Sequence, residues 1–517
     1  MLLKMTPKRT ISSIFISFIG LSILSSCSSG FDYSVKPVLN PNKIAPLTAV
    51  LQIEAEQPVK ASVKVLGDIP WEQQFDEEFT NSEIPVLGLY PGKNNQVAVT
   101  LEYEGGVVHD TLEIKTGKLP TRIPQIVINS LDRSKMTSGM HGCDLHFANR
   151  GKFSSGPLIF DDQGEVRWYL DLSFAGKMVS PFQRLRDGTI LMVSRHVIYE
   201  FDMLGKIVRE TSINNNYGMH HDVVELPDGN LLICVGKRNN FIKLEGNYVE
   251  SDSDFIILFD RKKSKIVREW DVAKVLDVSR KDLNFFRPGD WLHMNGLAFD
   301  QRDNSIIVSG KNQGLFKISW NNQLQWILAP TKNWGKSGRN GDGFETAPFL
   351  LTAVNNQGEP YPENIQQGIE SSEEFDFSWG THAPKLTPDG TLLVFDNGTY
   401  RNYSPNVQYS RAVEYSIDEE SKTVEQLWQY GKERGVNFFS TIVSDVDYLA
   451  ETQNILVTSG YLKENGRLAA KIVEVDRSSG KEVFEATLYL KSLKGNSTPS
   501  WGQTDILYRS ERMPLKY

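Results

Sequence analysis

The sequence is short of the residues that build metal centres and disulfide frameworks. Its 517 residues include three cysteines, Cys27, Cys143 and Cys234, and eight histidines. Three cysteines exclude a cysteine-rich metal site, and the neighbourhoods of Cys143 and Cys234 are typical of strand positions. We therefore expect two separate buried thiols rather than a disulfide.

An excess of positive charge is also lacking. The 56 Lys and Arg residues stand against 64 Asp and Glu residues, which gives a net charge of −8. A general nucleic-acid binder carries an excess of positive charge, because it neutralises phosphates. This balance argues against a nucleic-acid partner and leaves room for a local basic pocket.

The marked apolar run of the chain, from Ile11 to Leu24, is shorter than the ~20 residues that a membrane-spanning helix needs. Basic residues precede it, as in a secretory signal peptide. It ends in Leu24-Ser-Ser-Cys27, which resembles the lipobox of bacterial lipoproteins. The resemblance implies that residues 1–26 are a lipoprotein signal peptide and that Cys27 carries a lipid anchor in the periplasm, with Ser28 favouring the outer membrane. A simple cleaved signal peptide is the alternative.

The remaining chain of roughly 490 residues is long enough for more than one domain. Residues 27–125 contain four segments in which apolar and polar residues largely alternate, the pattern of half-buried strands. These segments are residues 48–55, 61–66, 96–103 and 107–114. They predict a small N-terminal β-sandwich. Two prolines between residues 116 and 124 break the pattern and mark a domain boundary.

Residues 126–517 repeat one pattern, a tight turn followed by an apolar strand. Asp-Gly between apolar strands predicts a hairpin, because glycine accepts the positive φ of a tight turn. The six copies are residues 160–168, 186–193, 227–234, 302–308, 388–394 and 452–458. They predict an all-β fold with a six-bladed β-propeller. The last strand, residues 504–509, is predicted to pair into the first blade and close the ring, and residues 331–380 to form a surface excursion or lid.

Three of the histidines occupy similar places in this pattern. His221, His293 and His382 each stand just before an apolar-polar run that leads into a turn, and they lie roughly 70 to 90 residues apart. The inner strands of successive blades ring one axis, so residues at equivalent places converge. The sequence therefore predicts a site that contains three imidazoles. His220 precedes His221 and, by strand alternation, should point the other way.

Several neighbouring residues leave two interpretations open. The aromatic residues at 375–379 and Trp291 either stack on an aromatic substrate or fill the interfaces between blades. Asp222 either orients an imidazole or is solvated, and Arg401 either binds an anion or supports a turn. Three neutral imidazoles also suit a divalent metal in a propeller hydrolase or lyase, although a nearby lysine argues against a cation site.

The mature chain resembles the bacterial arylsulfate sulfotransferases along nearly all of its length. In the N-terminal part the resemblance rests on Asn40-Pro-Asn-Lys-Ile-Ala-Pro-Leu-Thr-Ala49 and Gly88-Leu-Tyr-Pro-Gly92. In the second part it rests on His-Asp at 221–222, Asp-Trp-x-His-x-Asn at 290–295, Ser-Ile-Ile-x-Ser at 305–309, His-x-Pro at 382–384 and Phe-Asp-Asn-Gly at 395–398. The order and spacing of these stretches together make the resemblance specific.

The resemblance implies transfer of a sulfuryl group from a phenolic sulfate ester to a phenol, with neither a nucleotide sulfate donor nor a cofactor. It implies that His382 is the nucleophile and becomes a transient sulfohistidine in a ping-pong cycle. It further implies that His293 and Asn295 face sulfuryl or phenol oxygens, with His293 as a proton carrier, and that His221 binds the sulfuryl group. The resemblance permits a homodimer.

The chain departs from the family pattern at one place. Where the family reads Ser-Ser-Arg-His-Gln, residues 309–313 read Ser-Gly-Lys-Asn-Gln, so Lys311 stands where the family has a sulfate-binding arginine. Lysine keeps the charge but lacks the planar fork that grips two oxygens at once. We expect Lys311 to bind substrate, with a changed donor or a slower reaction. A non-catalytic propeller that binds sulfated or phenolic compounds is the alternative.

Overall fold

The computed structural model describes residues 30–149, 152–173, 181–280, 288–493, 495 and 499–517. The predicted signal peptide and Cys27 lie outside these ranges, so the lipid anchor and the periplasmic location stay predictions. The described chain is built of strands, which confirms the all-β prediction. Its helical segments are α1 (Glu363–Gln366) and the 3-10 turns Val272–Lys274, Pro288–Asp290, Ala347–Phe349, Arg401–Tyr403 and Lys432–Phe438. Across the described ranges, no helix has the length and apolar character needed to cross a membrane.

The N-terminal unit is one five-stranded antiparallel sheet. Its strands are β1 (Tyr33–Leu39), β2 (Ala49–Val65), β3 (Trp71–Val86), β4 (Asn94–Tyr103) and β5 (Gly106–Lys115). The long β2 pairs with β1 through its first half, with β4 through its second half and with β3 along most of its length. Two register shifts between Glu54 and Ala61 interrupt the β2–β3 pairing. The four predicted strands coincide with parts of β2, β4 and β5, with residues 48 and 66 just outside β2.

Six further sheets follow one another along the chain. The first contains β7 (Met140–Asn149), β8 (Lys152–Ser155), β9 (Leu158–Phe160) and β10 (Val166–Tyr169). The second contains β11 (Gln183–Arg184), β12 (Ile190–Val193), β13 (Val197–Phe201) and β14 (Ile207–Ser212). The third contains β15 (Tyr217–Glu225), β16 (Leu231–Lys237), β19 (Phe255–Asp260) and β20 (Lys265–Asp271). A separate hairpin, β17 (Phe241–Leu244) and β18 (Asn247–Glu250), extends from the third sheet.

The last three sheets repeat this plan. The fourth contains β21 (Met294–Asp300), β22 (Ser305–Gly310), β23 (Gly314–Ser319) and β24 (Leu324–Leu328). The fifth contains β26 (His382–Leu386), β27 (Leu392–Asp396), β28 (Arg411–Asp418) and β29 (Thr423–Tyr430). The sixth contains β30 (Asp445–Leu449), β31 (Asn454–Glu464), β32 (Arg467–Val475) and β33 (Glu482–Tyr489). Each of the six predicted turn-and-strand units falls in a different sheet. The local hairpin signals therefore identified each of these six sheets.

Both ends of this region add a strand to a distant sheet. The C-terminal strand β34 (Ile506–Met513) pairs with β7 of the first sheet, which confirms the predicted pairing of the last segment. The strand β6 (Gln125–Leu131) pairs with β33 of the sixth sheet. The first and last sheets are thus each completed by chain from the opposite end.

Apolar clusters join each sheet to the next one along the chain. Each of four clusters contains residues from two successive sheets. Examples, in order from the second and third sheets to the fifth and sixth, are Leu191 with Val223, Leu232 with Val308, Leu328 with Val394, and Phe395 with Ile455. A larger cluster contains residues of the sixth, first and second sheets and of the N-terminal sheet. The apolar core therefore runs through all six sheets and returns from the sixth to the first.

The tight turns form as their sequence requires. Gly188, Gly229 and Gly390 have φ of 86°, 82° and 85°, a region that a side chain disfavours. Each donates its N–H at 2.9 Å to the carbonyl three residues earlier, which closes the turn between two strands.

Two other predictions concern Cys143, Cys234 and residues 331–380. The two cysteines are free and buried, as predicted.

The central part of residues 331–380 lies beside outer strands instead of over the histidines, because β25 (Thr352–Ala353) pairs in parallel with β29 and Leu350 bridges to Ile327 in β24. The expectation of a lid is wrong for this part.

Candidate active site

The strands that contain or directly follow the three predicted histidines share one irregularity. β15, β21 and β26 are the first strands of the third, fourth and fifth sheets, and the register of each shifts near its start. A residue with positive φ lies beside each shift: His221 at 55°, His293 at 49° and Ala383 at 51°. Such values are uncommon for residues with side chains and cluster at functional sites, where a bulge re-aims a side chain. The three histidines are only approximately equivalent in position, because in β26 the residue with positive φ is Ala383 and not His382 itself.

These strands bring the predicted residues together. β15 contacts β21, and β21 contacts β26. The rings of His221 and His293 meet edge to face with centroids 5.1 Å apart. Burial lowers the pKa of His221 well below its usual range, and the charges of His293, His382 and Lys311 add to that effect. Two of the three predicted histidines, His221 and His293, are therefore in direct contact.

The ring of His382 is held in one tautomer by its neighbours. Its Nδ1 lies 2.6 Å from Oδ1 of Asn397 and 3.2 Å from the carbonyl of Gly380, and both of these atoms are acceptors. The Asn397 amide cannot turn over, because its Nδ2 donates to the carbonyls of Ser440 at 2.8 Å and Val443 at 3.0 Å. Nδ1 of His382 therefore carries the proton and Nε2 is left with a free lone pair.

The electrostatic surroundings keep this imidazole neutral. Burial lowers the pKa of His382 to about 3, with the charge of Lys311 as the next cause and the Asn397 hydrogen bond acting in the opposite direction. A neutral imidazole with a free Nε2 is a nucleophile at neutral pH. The geometry thus gives His382 the chemical form that the predicted role needs.

His293 is paired with the carboxylate of Asp290, the first residue of the Asp-Trp-x-His-x-Asn motif, for which the sequence predicted no role. Its Nδ1 lies 2.8 Å from Oδ2 of Asp290, and its side chain is 28% exposed. Asp290 ends the 3-10 turn Pro288–Asp290, and Nδ2 of Asn312 donates to its carbonyl at 2.7 Å. A carboxylate that accepts from Nδ1 orients the ring and stabilises the positive charge it gains with a second proton. The three-residue spacing of Asp290 and His293 was the signal for this pair.

Asn295 is buried and uses its amide to hold the backbone next to His382. Its Nδ2 donates to the carbonyl of Thr381 at 2.7 Å, and Oγ of Ser309 donates to the same carbonyl at 3.0 Å. In the described ranges Oδ1 of Asn295 has no hydrogen-bond partner. The predicted contact of Asn295 with substrate stays a prediction; its observed contact fixes the start of β26.

Lys311 lies beside the histidines at the turn between β22 and β23. Its backbone N–H donates to the carbonyl of His293 at 3.1 Å, and its side chain is buried. Burial lowers its pKa, and the negative charge of Asp290 acts in the opposite direction. The charge of Lys311 also lowers the pKa of His221 and of His382.

Asp222 does not orient an imidazole. Its Oδ2 accepts the N–H of Leu297 at 2.9 Å and its Oδ1 pairs with Arg509 at 3.0 Å. This carboxylate is buried, so the solvated interpretation is wrong as well. Asp222 instead links β15 to β21 and to the C-terminal strand.

His220 does not point away from His221. The two Nδ1 atoms lie 2.9 Å apart, with ring centroids separated by 5.0 Å. Strand alternation fails here because the register of β15 is broken between Met219 and Val223 and His221 has positive φ. Burial lowers the pKa of His220 to about 4, with the charge of His293 the next cause and a contact with the Val235 backbone acting in the opposite direction.

Arg401 and the nearby aromatic residues are structural. Arg401 is fully buried, and its guanidinium pairs with Asp376 and Asp396. Asp396 also accepts the N–H of Trp379 at 2.8 Å, so this network supports the chain leading to His382.

The aromatic rings are at most 1% exposed and belong to apolar clusters; they are Phe375, Phe377, Trp379 and Trp291. Of the two interpretations of these residues, the structural one holds.

The alternative of a histidine metal site finds no ligand set in the described chain. Within those ranges one group of His, Cys, Asp or Glu side chains has ligand atoms within 4.8 Å of one another, namely Asp300, Asp303 and Glu419. Nζ of Lys317 lies 2.9 Å from Asp300 and 2.8 Å from Asp303, and it also pairs with Glu419. The ammonium group of Lys317 thus already pairs with all three carboxylates.

Comparison with known proteins places these features in one family. Residues 131–498 match the family model for arylsulfotransferase, and residues 37–117 match the model for the arylsulfotransferase Ig-like domain. Arylsulfate sulfotransferase AssT of Escherichia coli O6:H1 is 29% identical, over 86% of this chain and 88% of the relative. Arylsulfate sulfotransferase AssT of Lelliottia amnigena is 30% identical, over 85% of this chain and 87% of the relative.

Solved structures are more distant. A protein of unknown function from Bacteroides caccae covers 72% of this chain and 98% of its own length at 13% identity, with a TM-score of 0.40. A likeness at this score supports no conclusion about fold or function. The two family models, by contrast, cover both the N-terminal sheet and the sheets that carry His221, His293 and His382. The chain belongs to the arylsulfotransferase family.

Proposed function

We propose that this protein transfers a sulfuryl group from an aryl sulfate to a phenol through a sulfohistidine at His382, without a nucleotide sulfate donor. The curated relatives bear the name of this reaction class. The observation that carries the proposal is the hydrogen bond from Nδ1 of His382 to Asn397, which leaves a lone pair on Nε2. The small-molecule partners are a phenolic sulfate donor and a phenolic acceptor.

In the first half-reaction Nε2 of His382 attacks the sulfur, and the bond between sulfur and the phenolic oxygen breaks. The ring gains a positive charge when Nε2 bonds to sulfur, and the Nδ1–H donated to Asn397 stabilises that charge. The departing phenoxide takes a proton from the imidazolium form of His293, which Asp290 stabilises. Lys311 and His221 bind the anionic sulfuryl oxygens.

The second half-reaction reverses these steps with a new phenol. Neutral His293 accepts the proton of the acceptor hydroxyl, whose oxygen attacks the sulfur of the sulfohistidine. The bond from sulfur to Nε2 of His382 breaks, and the product aryl sulfate leaves. His293 regains the proton that it gave up, so one cycle balances without an added reactant.

The proposed scaffold for this site is a six-bladed β-propeller. Support comes from six successive sheets, from the strands that the two chain ends add to the first and sixth sheets, and from the apolar clusters that link each sheet to the next. In a propeller the first strands of the blades line the axis. That arrangement brings residues from β15, β21 and β26 to one mouth.

The low pKa of His382 predicts how the first half-reaction depends on pH. With a pKa of about 3 in the folded protein, His382 stays unprotonated down to pH 5. The single-turnover rate of nitrophenol release from p-nitrophenyl sulfate, whose leaving group needs little acid assistance, should change less than about twofold between pH 7.5 and 5. A nucleophile with an ordinary histidine pKa of about 6.5 would lose about 30-fold over this interval.

The same assay tests the proposed reaction. Added phenol should accelerate steady-state nitrophenol release and produce phenyl sulfate in a buffer free of nucleotides. A folded protein that binds p-nitrophenyl sulfate without releasing nitrophenol would contradict the proposal and favour the binding-protein alternative.

Removal of the Lys311 charge is expected to weaken donor binding. Hydrogen bonds to charged groups are worth ~1.5–3 kcal/mol, so Lys311→Met should raise KM for p-nitrophenyl sulfate roughly 10- to 100-fold. Lys311→Arg keeps the charge and should keep KM within about threefold of the wild type. The matched control is Lys262→Met, which removes an exposed lysine. An unchanged KM in Lys311→Met would show that this ammonium group does not bind the donor.

A further inference from the structure

The three imidazoles of the site differ in what faces their Nδ1 atoms. Nδ1 of His382 faces the oxygen of Asn397, and Nδ1 of His293 faces the carboxylate of Asp290. Both partners are acceptors, so in the neutral rings the proton is on Nδ1 and Nε2 is bare. Nδ1 of His221 instead faces Nδ1 of His220 at 2.9 Å. An imidazole either donates or accepts, so the tautomer of His221 depends on that of His220.

The surroundings of His220 favour one of these two arrangements. Its Nε2 is buried and forms no hydrogen bond with the described residues, so the Val235 backbone, whose contact raises the pKa of His220, does not bond to this nitrogen. If Nε2 carried the proton of the ring, it would be a buried donor without an acceptor. Orphaned buried donors are rarer in native proteins than under-satisfied acceptors. The favoured arrangement places the proton of His220 on Nδ1, where His221 accepts it.

The anionic ligand of the proposed reaction favours the same arrangement. When Nδ1 of His221 accepts, the proton of the neutral His221 ring lies on Nε2. A sulfuryl group offers three oxygen acceptors and no donor, so an Nε2–H can bind it and a bare Nε2 repels it. Both considerations therefore select the same tautomer of His221.

We propose that His220 is a positioning residue that donates from its Nδ1 to Nδ1 of His221 and so keeps the proton of His221 on Nε2, facing the sulfuryl oxygens. The catalytic meaning of this inference rests on the proposed function, whereas the tautomer itself does not. The site then divides its imidazoles into an anion donor, His221, a nucleophile with a bare Nε2, His382, and the proton carrier His293, whose Nε2 gives up and regains a proton in each cycle.

Nuclear magnetic resonance of ¹⁵N-histidine-labelled protein at pH 8 reads the tautomers directly. The chain has eight histidines, so single variants can assign every ring. In two-bond ¹H–¹⁵N spectra without substrate, we expect the protonated nitrogen of His221 at Nε2 and that of His382 at Nδ1. A proton on Nδ1 of His221 would overturn the inference.

Two variants separate a positioning role from a merely structural one. His220→Phe keeps a ring and removes the donor, so His221 should populate both tautomers and KM for the aryl sulfate should rise about tenfold, the size of one lost hydrogen bond, with kcat nearly unchanged. His220→Asn offers an amide N–H in place of Nδ1–H and should restore the Nε2–H tautomer and most of the affinity. His109→Asn, in the N-terminal sheet, is the matched control and should change neither quantity.

The two readouts distinguish failure of this inference from failure of the proposed function. Sulfuryl transfer together with an Nδ1–H tautomer of His221 would overturn the role of His220 alone. The expected tautomers in a protein that transfers no sulfuryl group would overturn the reaction and leave the His220–His221 arrangement standing. A His220→Phe variant with the wild-type tautomer and KM would also overturn the role of His220.

Discussion

His382→Ala is expected to abolish sulfuryl transfer. Without Nε2 the sulfur has no nucleophile to form the covalent intermediate, and loss of a nucleophile lowers kcat by at least about 10³-fold in comparable covalent mechanisms. Binding of the aryl sulfate should remain, because Lys311 and His221 are unchanged. Stopped-flow measurement of nitrophenol release, with a separate measurement of donor affinity, gives both quantities.

The control for this variant is His109→Ala, which removes an exposed histidine of the N-terminal sheet. It should retain the wild-type rate. His382→Ala leaves Oδ1 of Asn397 without its imidazole partner, so its folding should be checked by thermal unfolding before the rates are compared. A folded His382→Ala protein that transfers within tenfold of the wild-type rate would rule out His382 as the nucleophile.

Asn397→Leu should lower both the rate and the stability. The side chains have similar size, but Leu accepts no hydrogen bond from Nδ1 of His382 and donates none to the carbonyls of Ser440 and Val443. The carbonyl of Ser440 keeps the hydroxyl of Ser410 as a donor, and that of Val443 loses its side-chain donor. Loss of the correct histidine tautomer costs about 10⁴-fold in a serine protease, so a loss of at least about 10²-fold is expected here. Buried polar groups left without partners should lower the free energy of unfolding by about 1–3 kcal/mol each.

Single-turnover rates and urea unfolding test these two effects separately. Asn356→Leu, on the exposed loop after β25, is the matched control and should alter the unfolding free energy by less than about 0.5 kcal/mol. If Asn397→Leu releases nitrophenol at the wild-type rate, the Asn397 hydrogen bond does not set the nucleophilic form of His382.

Local signals in the sequence were sufficient for much of the fold. Asp-Gly turns identified hairpins because their conformation depends on a glycine and its immediate neighbours, as at Gly188 and Gly229. The strand β3 was missed because residues 72–78 are mostly polar and acidic, and the pairing of β3 with β2 outweighs that local pattern. The alternation rule also failed at His220, since a register shift depends on the partner strand as well as on the strand itself.

The site was predictable in its principal residues and not in their partners. His221, His293 and His382 stand at similar points of a repeat, so the sequence alone brought them together. Asn397 reaches His382 from 15 positions away, on the turn after β27, and nothing in its local sequence shows which way its amide faces. Tertiary packing decides which groups a buried polar side chain bonds to. The sequence therefore left two possible roles for Asp222 and two for Arg401.

The central claim is that His382 carries the sulfuryl group between donor and acceptor. The most direct measurement is intact and peptide mass analysis of the protein after rapid mixing with p-nitrophenyl sulfate, with and without phenol. The account predicts an adduct of about 80 Da, the mass of SO₃, on the peptide containing His382, its disappearance when phenol is added, and its absence from His382→Ala. Transfer to phenol without any adduct on this peptide, or with the adduct on another residue, would contradict it.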